Sequence, residues 1–228
     1  MNYREKRGAY LNCEKRIFEG VGFFNIPEIL PQNIDLEMSN IIGFNYAKGY
    51  DLSEYSICHF YLDDYQFERV WNNPDVYLPL MQKFKAVLAP DFSLYSDFPK
   101  AVQIFNHYRK HWVARYWQEH GIKVIPTICW SDEESFEWCF DGEPRNATVS
   151  ISVLGCNKNE QMKHDFWVGF NKAIEVLTPK QILLFKGNSP VQLPDCNGAE
   201  IIEVISGNLA KAKAYKDSKR SDNSCLQQ

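Results

Sequence analysis

Acidic side chains follow several β-rich apolar runs of this sequence, close to the point where each run ends. Asp64, Asp91 and Asp132 all occupy such positions. Carboxylates from separate chain segments can hold a divalent cation such as magnesium, and the bound ion can activate water or clamp a phosphate. We therefore predict a metal role for these three acids, with Asp64 and Asp91 as the catalytic pair.

The acids around Asp132 also have a purely structural interpretation. The stretch SDEE contains the S-x-x-E spacing of a capping box, and the helix dipole favours acidic residues in a first turn. A helix start therefore explains this cluster without any function. Asp91 is different, because it follows Pro90 at a strand end and caps no obvious helix. The argument for a site role is stronger at Asp91.

Polar, basic and aromatic residues near the predicted strand ends complete a candidate ligand site. Arg109 and Lys186 supply charges that would contact phosphate. The other predicted ligand-binding residues are Asn45, Arg69, Ser93, Asn106 and Trp130. In parallel α/β folds, ligands bind at the carboxyl ends of the strands. We expect these side chains to gather on one face of the sheet, around a hollow for a phosphorylated small molecule, a nucleotide or nucleic acid.

The longest predicted helix carries His107 and His111 at the i, i+4 spacing of paired zinc ligands. The glutamate of the H-E-x-x-H motif is missing, so we assign no zinc site here. The bases of this helix, interleaved with Tyr108, Trp112 and Trp117, could form a contact strip for phosphate or nucleic acid. Helical spacing favours a simpler interpretation, in which the aromatic residues form a buried face and the bases a solvated one.

Seven short apolar runs are typical of strands that are buried on both faces of a parallel sheet. They occupy residues 41–47, 56–62, 86–92, 122–130, 147–155, 181–187 and 200–206. Helical patterns between most of them predict βα repeats with right-handed crossovers. The first two runs are too close for a full crossover helix, so this edge should be antiparallel or linked by a short turn.

We predict an α/β fold with a mainly parallel sheet. The sheet is either barrel-like, as a distorted or incomplete β/α barrel, or open and doubly wound, and the regular succession of strands and helices slightly favours the barrel. Residues 41–215 should form a single domain, with residues 1–40 as an irregular N-terminal cover packed on it. Residues 216–228 should be a disordered tail, because they contain almost no apolar side chains.

Charge and cysteine content limit the possible partners and compartments. The net charge of −4 gives no global positive field to recruit nucleic acid, although a local basic patch could still do so. The seven cysteines include no C-x-x-C pair, and we find neither a secretory signal nor an apolar run of spanning length. We predict a cytoplasmic protein with no membrane partner, and leave the oligomeric state open.

Five ordered blocks resemble an uncharacterised family, the domain of unknown function 4417. The blocks are IIGFNYA, ICHFYLDDYQFERVWNNPD, VLAPDFSLYSDFPKAVQIFNHYR, VIPTICWSDEESFEWCFDG and TVSISVLGC. The resemblance covers roughly residues 41–187. It implies an origin in phages, prophages or plasmids, and hence the cytoplasm of a bacterial host cell. It implies no reaction and transfers no residue roles.

Two hypotheses follow from these observations. The first is an α/β protein that binds or processes a phosphorylated ligand at the strand ends, and the grouping of polar residues there favours it. The alternative is a non-catalytic interaction protein that acts on a host or phage protein. The acidic pI, near 5.8, and the lack of a recognised catalytic motif favour this alternative.

Overall fold

The structure is a computed structural model that describes most of the chain. The described residues are 11–36, 40–49, 56–154, 156, 159–186, 193 and 195–204. A short antiparallel hairpin comes first, formed by β1 (Gly20–Val21) and β2 (Ile26–Pro27). None of the described helices is both long enough and apolar enough to cross a membrane.

Two parallel sheets form the centre of the fold. The first has the order β3 (Asn40–Gly43), β4 (Ser56–His59), β5 (Ala86–Leu88) and β6 (Val124–Ile125). The second has the order β7 (Thr148–Ser152), β8 (Gln181–Phe185) and β9 (Glu200–Val204). Each predicted apolar run overlaps one of these strands, so the predicted α/β fold with a parallel sheet is confirmed.

One parallel bridge, between Thr127 and Ser150, connects the two sheets. The spatial order of the strands therefore follows their order in the chain. No ladder among the described residues joins the last strand to the first, so the strands form no closed barrel. The two sheets nevertheless share a core, because Leu183, Phe185 and Val204 belong to the same buried cluster as the strands of the first sheet.

The pairing of β3 with β4, at the edge of the first sheet, rules out one of the two alternatives predicted for this edge. β3 and β4 are parallel, with Asn40 opposite Ser56 and Gly43 opposite His59, so the antiparallel alternative is wrong. A short 3₁₀ helix at Phe44–Gly49 begins the connection. Burial on both faces explains the parallel pairing, because every residue of β4 is buried and neither face can turn to water.

Four α-helices connect the strands within the described residues: α1 (Arg69–Asn72), α2 (Pro74–Met81), α3 (Lys100–Glu119) and α4 (Glu160–Leu177). Helix α4 begins where the Asn159 side chain accepts a hydrogen bond from the backbone N–H of Met162. It ends at Thr178, which has a left-handed backbone conformation with φ of 43°. Its apolar face is buried in the same cluster as residues of the second sheet.

Helix α3 contradicts the predicted division into a buried aromatic face and a solvated basic face. His107, Arg109, Lys110 and His111 are all buried, whereas Phe105 on the same helix is 39% exposed. The correction has a physical reason. Each buried base has an acidic partner or a backbone carbonyl within hydrogen-bond distance, which compensates its loss of water.

The N-terminal segment contributes to the core. Ile29, Ile34 and Leu36 are buried in the same cluster as the strands of the first sheet. The backbone of this segment also contacts the end of α3, since the amide of Gln118 pairs with both backbone groups of Leu30. The predicted tail, residues 216–228, lies outside the described residues.

Candidate functional site

A cavity opens where the strands β4 to β7 reach their carboxyl ends. It has two adjoining lobes, with volumes of about 380 Å³ and about 520 Å³. The wall shared by both lobes consists of Tyr61, Asp91, Leu94, Tyr95, Cys129, Trp130, Ser152 and Leu154. We call this the strand-end cavity. Its volume lies in the range of small-molecule sites, which runs from roughly 300 to 1,000 Å³.

Asp91 has the most unusual environment on this wall. Its side chain is half-buried, and no side chain or backbone group of the described residues donates a hydrogen bond to it. Burial raises the pKa of Asp91 to about 7, against the lowering effect of the Lys110 ammonium; the negative charge of Asp64 raises it further. The carboxyl group therefore exists in both protonation states near neutral pH.

Aromatic side chains flank Asp91 in the strand-end cavity. The Ser150 hydroxyl donates to the carbonyl of Leu183 at 3.0 Å, so the Tyr61 hydroxyl, 2.8 Å away, must donate to Ser150. The phenolic oxygen of Tyr61 keeps its capacity to accept a hydrogen bond from a ligand. Burial raises the pKa of Tyr61 well above its ordinary value, so the phenol stays neutral.

Trp130 is a second aromatic residue of the cavity wall, and contacts with helix α4 hold it in place. Its indole N–H donates to the backbone carbonyl of Asp165 at 3.1 Å, and its ring packs against Phe166. Gly169 makes this possible, because a Cβ at that position would lie 2.1 Å from the indole nitrogen. A glycine in the middle of a helix reduces stability by about 1 kcal/mol relative to alanine. The close approach of Trp130 explains why a glycine stands here.

Asp64 is committed to a structural contact beside the cavity. Its carboxylate accepts hydrogen bonds from the backbone N–H and the hydroxyl of Ser93. The amide of Asn106 donates to the Ser93 carbonyl at 2.7 Å. Arg109 lies 3.9 Å from Asp64, forms a 2.6 Å ion pair with Glu68, and stacks over an aromatic ring. These contacts hold the loop that presents Asp91, and of this group only Ser93 lines the cavity.

The remaining predicted site residues do not line the strand-end cavity. Asn45 and Arg69 are exposed, and the Arg69 guanidinium lies over the ring of Phe44. The Lys186 ammonium forms a 2.5 Å ion pair with Glu203. The structure therefore gathers part of the predicted set at one face and leaves these three outside it.

A helix begins at this acidic cluster, as the structural interpretation predicted, but the predicted capping box is wrong. Asp132 is the N-cap of a 3₁₀ helix at Glu133–Glu137, and its carboxylate accepts from the backbone N–H of Ser135 at 3.1 Å. The hydroxyl of Ser131 caps nothing and has no hydrogen-bond partner. Asp64, Asp91 and Asp132 do not bring three ligand atoms within 4.8 Å of one another. The predicted divalent ion at this trio thus finds no assembled ligand set in the described residues.

The sequence pattern missed Tyr61, Ser152 and Asp165 on the cavity wall. Tyr61 and Ser152 lie at or just after a strand end, where the rule about carboxyl ends could have included them. Asp165 carried no such signal, because it lies inside a helix and reaches the cavity only through the packing of α4. The three acids that line the cavity are Asp63, Asp91 and Asp165.

A buried ion network lies behind the cavity wall. The Lys110 ammonium donates to the carbonyl of Thr127, the sulfur of Cys129 and the carboxylate of Glu143. Burial alone would lower the pKa of Lys110, but the carboxylates of Glu143 and Asp91 raise it, so the side chain is charged. Burial raises the pKa of Cys129 to about 12, which makes it an unreactive thiol at neutral pH.

Fold and cavity together define an α/β protein with a polar and aromatic cavity at the strand carboxyl ends. The chain belongs to the family described as domain of unknown function 4417, whose model matches residues 18–205. It is 36% identical over 189 residues to the Gene 1 protein of Mycobacterium phage L5, which covers 82% of this chain and 80% of the relative.

The Gene 1 protein of Mycobacterium phage D29 is also 36% identical, over 170 residues. That match covers 74% of this chain and 62% of the D29 protein, so it spans less than two thirds of that relative. No solved structure matches the chain significantly. The predicted family is confirmed, and the relatives found are phage proteins. A cytoplasmic location stays a prediction.

Proposed function

We propose that this phage-type protein binds the base and sugar of a nucleoside, free or within a nucleotide or nucleic acid, in the strand-end cavity. One observation supports this most directly. The Asp91 carboxyl faces a cavity shared with Tyr61 and Trp130 and has no hydrogen-bond donor among the described residues. A half-buried carboxyl group of this kind gains from a ligand that donates a hydrogen bond to it and excludes water.

The chemistry of the cavity wall supports a flat, hydrogen-bonding ligand. Tyr61, Tyr95 and Trp130 offer aromatic faces, and stacking of a base on such a face contributes about 1–3 kcal/mol. The Asp91 carboxyl can accept from an exocyclic amine or ring N–H, and the hydroxyl of Ser152 can bond to a sugar. The three cavity acids also disfavour an anionic group deep inside.

The phosphate part of the predicted ligand should lie towards solvent. Neither lobe is lined by a lysine or arginine within the described part of the chain. Arg109 and Lys186, which we predicted to contact phosphate, are held instead by Glu68 and Glu203. Recognition is therefore assigned to the base and sugar, and affinity should depend little on the phosphate.

Asp91 also gives the site a capacity for proton transfer. With a pKa of about 7, its carboxyl can donate or accept a proton at neutral pH, as general acid–base catalysis requires. Binding is the core of the proposal, and proton transfer to the bound base or sugar is the step that would make the protein an enzyme.

A binding panel tests the proposal on the full chain. Isothermal calorimetry with nucleobases, nucleosides, nucleoside monophosphates and short oligonucleotides, each with and without Mg²⁺, should find a nucleoside ligand. Its monophosphate should bind within about threefold of it, given no cation on the described wall. Asp91→Asn should weaken binding at least about tenfold, since a charge-assisted hydrogen bond is lost. Asp97→Asn, at an exposed position of the same loop, should leave binding unchanged.

Two outcomes would reject this proposal. Binding of inorganic phosphate or triphosphates without binding of nucleosides would move recognition to the phosphate. Failure of the whole panel would leave the alternative, an interaction protein acting on a host or phage protein, and a pulldown from infected cells would then be the next experiment.

A further inference from the structure

We propose that His107, His111 and Glu143 form a buried binding site for a divalent transition-metal ion, with zinc as the best fit. The three side chains place one ligand atom each within 4.8 Å of one another. They are 1%, 0% and 8% exposed, respectively. None of them lines the strand-end cavity, so this centre is independent of the proposed nucleoside site.

Backbone geometry brings these residues together. His107 and His111 are four residues apart on α3 and therefore share one face of that helix. Glu143 follows a turn at Gly142, whose φ of +76° favours glycine. A Cβ at Gly142 would lie 2.6 Å from the carbonyl oxygen of Pro27 and 2.7 Å from Nδ1 of His111. The turn thus packs directly against the histidines and delivers the missing glutamate.

Backbone carbonyls determine which ring nitrogens can bind a metal. Nε2 of His107 lies 3.0 Å from the carbonyl oxygen of Asp141, and Nδ1 of His111 lies 2.9 Å from that of Pro27. A carbonyl only accepts, so both of these nitrogens carry hydrogen. The other nitrogen of each ring is left for the cluster. Histidine ligands of metal sites are commonly oriented in this way.

The acceptor atoms of the three side chains either have no hydrogen-bond partner or face another acceptor. Nδ1 of His107 and Oε2 of Glu143 are buried and have no hydrogen-bond partner. Nε2 of His111 lies 3.1 Å from Oε1 of Glu143, where two acceptors repel unless a positive centre lies between them. A shared proton solves only that contact and leaves two buried orphans, each of which costs about 1–3 kcal/mol. One metal ion satisfies all three residues.

The ligand chemistry favours zinc. Two imidazoles and one carboxylate form a His₂Glu set, and zinc binds nitrogen and oxygen ligands at about 2.0–2.2 Å. Lys110 donates to Oε1 of Glu143 at 2.6 Å and would remain as a partner outside the metal shell. Because the centre is sealed from solvent, its role is structural. It would join α3 to the turn after Asp141.

Metal binding by the untagged full chain tests this proposal. After dialysis against chelator and then Zn²⁺, the protein should retain one zinc per chain, and X-ray absorption should show two imidazoles at about 2.0 Å. Co²⁺ should give the visible absorption of a nitrogen and oxygen site with no more than four ligands, the second oxygen of Glu143 being the fourth donor at hand. His107→Gln should weaken binding at least about tenfold, whereas His164→Gln, at an exposed histidine, should not change it.

Several results would overturn the inference. The first is a wild-type chain that is folded by circular dichroism and yet binds neither Zn²⁺ nor Co²⁺ at micromolar concentration. The second is a His107→Gln variant that binds the metal as tightly as wild type does. If that variant fails to fold, the absorption spectrum of the wild-type zinc complex decides, and a shell without two imidazoles rejects the site.

Discussion

Replacing Asp91 by asparagine should stabilise the protein at alkaline pH, and by less at acidic pH. The pKa of Asp91 rises from 3.8 to about 7 on folding, mainly through burial. Below pH 4 the carboxyl is protonated in both states. Between pH 4 and pH 7 only the unfolded chain releases the proton, so the free energy of unfolding falls by about 1.4 kcal/mol per pH unit. Above pH 7 the free energy of unfolding falls no further on account of Asp91, because the carboxyl is ionised in both states.

The size of this effect follows from the two pKa values. Three pH units at about 1.4 kcal/mol each give roughly 4 kcal/mol at pH 8, as an upper limit, and roughly 1.5 kcal/mol at pH 5. Asparagine has the same shape and no charge, so Asp91→Asn should gain most of this free energy at pH 8. Such a gain at a functional residue is the usual exchange of stability for activity.

Urea denaturation of wild type and Asp91→Asn at pH 5 and pH 8 measures the effect. The advantage of the variant should grow by about 2–3 kcal/mol between the two pH values. Asp97→Asn, on the exposed part of the same loop, should stay within about 0.5 kcal/mol of wild type at both. An advantage of Asp91→Asn that is absent, or that is the same at pH 5 and pH 8, would refute the raised pKa.

Two further substitutions test how the cavity is built. Gly169→Ala should displace the Trp130 ring from α4, because the added methyl group would overlap the indole. The free energy of unfolding in urea should fall by roughly 1–3 kcal/mol, and nucleoside binding should be lost. Unchanged stability and binding would contradict the close contact. Ser93→Ala removes the hydroxyl that donates to Asp64 and should cost about 1 kcal/mol in the same assay, and no loss would mean that this contact does not hold the loop.

The strands could be predicted from the sequence because each is a local property of a short apolar run. The seven runs match the seven strands of the two parallel sheets, with only Asn40 of β3 outside its run. The direction in which β3 pairs with β4 is not a local property of either run. The short connection left two alternatives, an antiparallel edge or a link by a short turn, and the structure has a parallel edge in which β4 is buried on both faces.

Helix α3 shows where the sequence was insufficient. Its histidines and Lys110 appeared to be a solvated basic face, because helical spacing gives no information about acids far away in the chain. Glu143 lies 33 residues from Lys110 in sequence and 2.6 Å away in the fold. That pairing is what allows the bases to be buried, and it also completes a metal-type ligand set that the pattern of α3 alone lacks.

The sequence by itself determined the strand positions, the helix start at the acidic cluster, and the family, and it predicted a site at the strand carboxyl ends. These depend on side-chain periodicity and on backbone preferences that act over a few residues. Only the tertiary structure decided that Asp91 faces the cavity while Asp64 is bound to Ser93, since both acids follow strands in the same way. Which neighbour each carboxylate meets is set by packing between distant segments, and no local pattern encodes it.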